Sequence, residues 1–128
     1  MSQIHHEVTF AAPPARVFAA LTQSSQFTAV TGAPADIAPA EGGTYSAFGG
    51  HIQGRTIALV DGRRIVWAWR PKTWPEGVYS IARVELSADG AATKLVFDQD
   101  AVPADAVEHI DAGWHTMYWE PLRKYVEA

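Results

Sequence analysis

Residues 113–125 read Gly-Trp-His-Thr-Met-Tyr-Trp-Glu-Pro-Leu-Arg-Lys-Tyr, and this stretch constrains the fold more than any other. On a 3.6-residue period Trp114, Met117, Tyr118, Pro121, Leu122 and Tyr125 share one face, while His115, Thr116, Glu120, Arg123 and Lys124 take the other. A helix with so bulky an apolar face must be covered by something broad, and the upstream chain, which reads as short strands, offers a sheet. Trp119 falls about 140° around an α-helix from Trp114, beside His115, and is expected to point outward. Such a ring marks a contact surface for a protein partner or a homodimer, with Trp74 as a second member, or else folds back over a neighbouring loop. Pro121 costs a helix interior about 3 kcal/mol, so a kink or local break is expected between Met117 and Pro121.

Upstream, Ile4, His6, Val8 and Phe10 alternate with His5, Glu7 and Thr9, the signature of a strand. Pro13-Pro14 ends it and opens a helix over Pro14 to Thr22 that buries Val17, Phe18 and Leu21. A second short helix, capped by Ser24 or Ser25, carries Phe27 and Val30 and stops at Gly32. Ala35 to Ala38 and Thr44 to Phe48 read as short extended pieces. Ile52 to Val60 and Arg64 to Arg70 then form a hairpin around Asp61-Gly62, where both central positions tolerate positive φ. Val78 to Leu86 and Ala92 to Gln99 form another around Asp89-Gly90, each with one apolar and one polar face. Gly54 is a candidate bulge. Asp105 and Glu108 resemble a weak capping box before the last helix.

With no cysteine, disulfides, thiolate metal sites and cysteine nucleophiles are excluded. The formal net charge of -4 arises from interspersed acids and bases rather than a basic stripe, which argues against nucleic acid. The N-terminus lacks a basic region followed by an apolar run, and no stretch approaches the roughly 18 apolar residues of a membrane span. A soluble, cytoplasmic chain with no membrane association is therefore expected.

Four motifs resemble a known family. Pro13, Val17, Phe18, Ala20, Leu21 and Thr22 match its entry helix, and Glu41-Gly42-Gly43-Thr44-Tyr45 its Gly-Gly-x-aromatic strand start. Gly54, Leu59, Ile65 and Trp69 match the spacing of its hairpin, and Gly113-Trp114 with Tyr118 and Leu122 its last helix. Together these residues resemble the helix-grip fold of the START-like (SRPBCC) superfamily, in the branch named after the activator of Hsp90 ATPase (AHSA1-like). Two departures are Asp61-Gly62, where the family often has a Pro-Pro turn, and Pro121. The resemblance implies an α+β fold in which a curved antiparallel sheet of about six to seven strands wraps a long C-terminal helix, with two short helices after strand one. It implies a single domain over residues 1–128, often with an apolar cavity between sheet and helix. Its members include lipid and hormone carriers, aromatic polyketide cyclases and co-chaperone modules, so it implies no single activity.

Parity puts Ile65, Trp67 and Trp69 on one face of their strand and Leu95 and Phe97 on one face of theirs. If these meet Trp114, Tyr118 and Leu122, the space between is ringed by aromatics, with Tyr45, Tyr118, Ser80 and Gln99 as polar anchors. The rings either line a pocket for an apolar or aromatic small molecule or fill the space themselves, leaving a co-chaperone-like interaction module. A small cyclase or hydrolase acting in the cavity is a third reading. Its acid–base residues would be His6, Asp98, or His51 with Tyr118, although Asp98 has outward parity. Asp111 and His115 stand four residues apart as metal ligands do, yet the spacing supplies no third donor, and an exposed salt-linked helix start is the plainer reading. No catalytic set, metal site or cofactor motif is expected.

Overall fold

The N-terminal alternation becomes β1 (Ile4–Phe10) in the computed structural model, which describes residues 2–128. Two helices follow, α1 (Pro14–Thr22) and α2 (Ser24–Thr31). Proline in the first turn of α1 lacks only an amide hydrogen that would find no partner there, and Gly32 at φ 75° terminates α2. The expected serine cap of α2 is absent, because the hydroxyl of Ser24 is used across the fold. It accepts from the amide of Ile37 at 2.8 Å and donates to the Ile37 carbonyl at 3.2 Å, tying α2 to β2 (Asp36–Ile37).

The chain then meanders through β3 (Thr44–Ala47), β4 (Ile52–Val60), β5 (Arg64–Pro71), β6 (Ser80–Asp89) and β7 (Ala92–Asp100). All seven strands form one sheet in the order β1-β7-β6-β5-β4-β3-β2, every neighbouring pair antiparallel. The register places His6, Phe97, Val84 and Ile65 side by side across four strands, and Ile4, Gln99, Ala82 and Trp67 in the next row. Both rows are buried, so the period-two alternation has become the inner face of the sheet. On the outer face Arg64 pairs with Glu85, Arg83 with Asp100 and Lys94 with Glu7, all substantially exposed.

The bulge expected at Gly54 falls instead at Ile57, where the β4–β5 register slips between Thr56 and Ala58 and leaves Ile57 exposed. Gly54 has a different job. A Cβ there would sit 1.7 Å from the carbonyl oxygen of Ala68, so the two backbones approach as only glycine allows. In the hairpin after β4 only Gly62, not Asp61, takes positive φ, since the loop has three residues between the paired Val60 and Arg64 rather than two.

A turn at Ala104–Ala106 leads into α3 (Val107–Gly113), a π-helical segment Trp114–Trp119 and α4 (Glu120–Val126). Neither Asp105 nor any other side chain caps α3. The interruption expected near Pro121 thus takes the form of a π turn, in which the amide of Glu120 bonds to the carbonyl of His115, five residues back. Pro121 follows at the first turn of α4, and the wider turn relieves its ring of the carbonyl four residues back.

This turn overturns the expected place of Trp119. The residue is 2% exposed, not outward, because one added residue per turn brings it round to stack on Trp114, ring centroids 5.4 Å apart. Met117 is displaced the opposite way, to 50% exposure, although an α-helical period puts it on the buried face. Among the described residues no helix is long and apolar enough to cross a membrane.

Candidate functional site

The inner face of the sheet and the C-terminal helix meet through aromatic rings. Trp114 lies 4.2 Å from Phe97, 5.2 Å from Trp69 and 4.0 Å from Tyr118, centroid to centroid, while Tyr45 lies 4.8 Å from Trp67. Leu122 is fully buried one turn on. The polar groups expected to anchor a ligand are engaged with one another. Tyr45 and Tyr118 share a hydroxyl–hydroxyl bond of 2.8 Å, and the Trp69 indole donates to the Tyr118 oxygen at 3.1 Å. The Trp114 indole donates to Gln99 Oε1 at 2.8 Å, Gln99 Nε2 to the Ser80 hydroxyl at 2.9 Å, and that hydroxyl to the Trp69 carbonyl at 2.7 Å. Among the described residues no buried side-chain polar atom lacks a partner. Burial holds the Tyr45 phenol far above its ordinary pKa, and raises that of Tyr118 against the two hydrogen bonds that favour its ionised form.

Beside this packed region, where the first half of the helix leaves the sheet, a half-open cleft of about 700 Å³ remains. Trp69, Trp114 and Tyr118 form its floor, Ile110 and Met117 the helix wall, and Phe48, Ile52 and Trp74 the opposite wall. Three of the sequence-predicted ligand residues are therefore brought together here. Tyr45, Trp67, Ser80, Phe97, Gln99 and Leu122 are buried outside the cleft. Trp74, expected on a partner surface, is half-buried against Trp69 as a cleft wall, their rings 6.0 Å apart at 75°.

Arg70 holds that wall in place. Its guanidinium, 8% exposed, donates to the carbonyls of Val78 at 3.1 Å, Trp74 and Pro75 at 3.2 Å and to Gln53 Oε1 at 3.3 Å. Nothing in the sequence singles it out, because its partners are carbonyls of a loop whose path no periodicity predicts.

A second group of side chains gathers on the other side of the helix. His6 Nε2, the Asp111 carboxylate and a His115 ring nitrogen all lie within 4.8 Å of one another, with the His6 and His115 ring centroids 4.0 Å apart. The third donor that sequence spacing could not supply to Asp111 and His115 thus comes from β1. The hydrogen bonds nevertheless assign its chemistry differently. The Trp119 indole can only donate, and it points at His6 Nδ1 across 2.9 Å, so Nδ1 holds a lone pair and the proton sits on Nε2, facing Asp111. A cation on Nε2 would displace that proton to Nδ1, against the Trp119 N–H. The donor set fits a hydrogen-bonded relay rather than a metal centre. Burial lowers the His6 pKa; the Asp111 bond opposes the shift and the nearby His115 adds to it.

Of the acid–base candidates, His6 is buried away from the cleft and Asp98 lies on the outer face, bonded to His5 and Ser2. His51 lines the cleft with Tyr118. Parity placed Asp98 on the outer face and His6 on the inner one with Ile4 and Phe10, but could not place His51, which lies outside β4.

A seven-stranded antiparallel sheet packed on a long C-terminal helix, with two short helices after strand one, defines an α+β helix-grip protein. Residues 11–127 match the model of the family described as activator of Hsp90 ATPase homolog 1-like protein, and the chain belongs to that family. It is 28% identical over 116 residues to the human activator of 90 kDa heat shock protein ATPase homolog 1, covering 91% of this chain and 34% of that protein. Over 75 residues it is 39% identical to the Dictyostelium discoideum homologue, covering 58% of this chain and 20% of that one. The chain thus spans about a third of the first of these relatives and a fifth of the second. Among solved structures it is similar to an HSP90 activator from Plasmodium falciparum, at TM-score 0.86 and 26% identity over 94% of both chains. It shares its fold with the Aha1 dimer of Colwellia psychrerythraea, at TM-score 0.81 and 16% identity over 96% of this chain and 95% of that one.

Proposed function

We propose that the chain is a binding module that takes an apolar or aromatic small molecule in the cleft between the C-terminal helix and the Trp74 loop. The observation that carries this is the half-open cleft of about 700 Å³, where Trp74, Phe48 and Met117 offer accessible apolar surface above the buried rings of Trp69 and Trp114, a size suited to one planar ligand. The packed region behind it supports a shallow site rather than a deep interior cavity, because its polar atoms are already paired with one another. Native mass spectrometry of the freshly purified protein, with titration by naphthalenemethanol, tests the reading. A retained molecule, or probe binding lost in Trp74→Ala, supports it. An unliganded protein that also ignores the probe sinks it.

A second reading is action on a chaperone of the Hsp90 class. It is favoured by the likeness to the Plasmodium HSP90 activator over nearly the whole of both chains. Its test is the ATPase rate of an Hsp90 chaperone with the chain added, and an unchanged rate at saturating concentration removes it. The Colwellia dimer supports self-association as a further feature of the same module. A monomer mass independent of concentration in light scattering counts against that.

A further inference from the structure

We infer that His6 and Trp119 form an acid-sensitive latch on the C-terminal helix: a second proton on the buried imidazole breaks its bond to the Trp119 indole and loosens the π turn, while the sheet and the helix on either side stay folded. The latch is independent of what the cleft binds. Trp119 Nε1 donates to His6 Nδ1 at 2.9 Å and has no other hydrogen-bond partner among the described residues, and His6 Nε2 turns its proton to Asp111. An imidazolium is a donor at both nitrogens, so protonating His6 sets two N–H groups head to head in a buried site. One ring must withdraw. His6 is fixed by the Asp111 bond and by its place on β1 opposite Phe97, whereas Trp119 sits in a turn whose shape rests on this bond and on the stack with Trp114.

The charges facing His6 set the direction of the response. Asp111 reaches it from α3, His115 lies on it from the π turn with ring centroids 4.0 Å apart, and Phe97 of β7 brings no charge. His5 precedes it on the outer face of β1, where Glu7, Asp98 and Lys94 pair with one another and with His5. Arg123 of α4 is turned to the Thr9 carbonyl and to Glu127. One carboxylate thus faces two imidazoles, and it can neutralise one imidazolium but not a pair. Burial holds the folded pKa of His6 below 6.5, against the Asp111 bond and with His115 and His5 adding repulsion, so the latch is closed at neutral pH and opens as the pH falls through that lowered value. The opening is also bounded. Ahead of Trp119 the Trp114 indole is held by Gln99 at 2.8 Å, and beyond it Arg123 holds the Thr9 carbonyl at 2.7 Å and Glu127 the Ala11 amide at 2.8 Å. None of these ties depends on a histidine.

Nitrogen-15 NMR followed from about pH 8 to about pH 5 tests the latch. The Trp119 indole N–H resonance should move in step with the second protonation of His6. Exchange of the Glu120 amide, which closes the turn on the His115 carbonyl, should rise roughly tenfold after correction for its intrinsic pH dependence, with the amides of β5 and β6 unchanged. His6→Asn keeps an acceptor oxygen for Trp119 and cannot take the proton, so its Trp119 resonance should not respond. His115→Asn removes a repulsion and should move the midpoint to higher pH, while Asp111→Asn removes the carboxylate that favours the imidazolium and should move it lower. Both of these residues are exposed, so this pair carries the test even where His6→Asn fails to fold. A Trp119 resonance that ignores the protonation of His6, or that changes only when every other signal does, overturns the inference. So does the same transition in His6→Asn, or a shift in the same direction in the two exposed variants.

Discussion

The indole N–H of Trp119 donates to Nδ1 of His6 across 2.9 Å, joining two residues 113 positions apart, both buried. This bond ties the C-terminal helix to β1 at the point where the helix widens into its π turn. It also sets the histidine tautomer, since a donor-only partner requires an unprotonated Nδ1.

Trp119→Phe keeps a ring in place but leaves Nδ1 buried without its donor. We expect a loss of about 1–3 kcal/mol in urea unfolding, the usual cost of orphaning one buried polar atom. Nitrogen-15 NMR of the imidazole should show the proton on Nε2 in the unmodified chain and easier protonation of Nδ1 in the variant. A proton on Nδ1 in the unmodified chain would contradict the assignment.

Stability should depend on pH through His6 with a definite sign. Its folded pKa is lowered below 6.5 by burial, against the Asp111 bond and with His115 and His5 adding repulsion. Its contribution is therefore full above about pH 6.5 and is lost as the pH falls through the lower folded value. His5 works in the other direction: its pKa is raised, first by the bond to Asp98 and then by Glu7, so its contribution is present below 6.5 and lost as the pH rises through its folded value. His5 is exposed and its effect is screened. Denaturation midpoints of the unmodified chain and His6→Asn should diverge below about pH 6.5, with the unmodified chain falling more steeply.

The paired phenols offer an optical test. Two of the four tyrosines, Tyr45 and Tyr118, are buried with raised pKa values and bonded to each other, so they should stay protonated until alkali unfolds the chain. Ultraviolet titration should show their absorbance change coinciding with loss of the near-ultraviolet circular dichroism. Tyr118→Phe orphans the Trp69 indole and should cost about 1–3 kcal/mol.

The same substitution at two glycines should have opposite effects. Gly54→Ala drives a methyl to within 1.7 Å of the Ala68 carbonyl oxygen, and backbone cannot yield as a side chain does, so a loss of about 3 kcal/mol is expected. Gly113→Ala meets nothing within 4 Å at a helical φ of -61°, and should stabilise by about 0.4–1 kcal/mol. Thermal melts of both variants against the unmodified chain check the pair.

Much of the architecture was legible in the sequence because its signals are local. Strand parity put Ile65, Trp67, Trp69, Leu95 and Phe97 on the inner face, and all five are buried. Pro14 and Gly32 marked helix ends, and Asp61-Gly62 marked a hairpin. The candidate site was legible only in part. Trp69, Trp114 and Tyr118 do meet at the cleft, but its far wall depends on Trp74 in a loop held by Arg70, and loop paths carry no periodicity.

What the sequence by itself determined, then, is which residues alternate, where elements stop and that a broad aromatic helix face needs a sheet. Tertiary structure alone decided the phase of that face. An α-helical count turns Trp119 to solvent and Met117 to the core, and both are reversed by the π turn. Backbone periodicity cannot foresee that turn, because an isolated helix gains nothing from it. Its return comes from stacking Trp119 on Trp114 and bonding it to His6, a partner supplied by a strand at the far end of the chain.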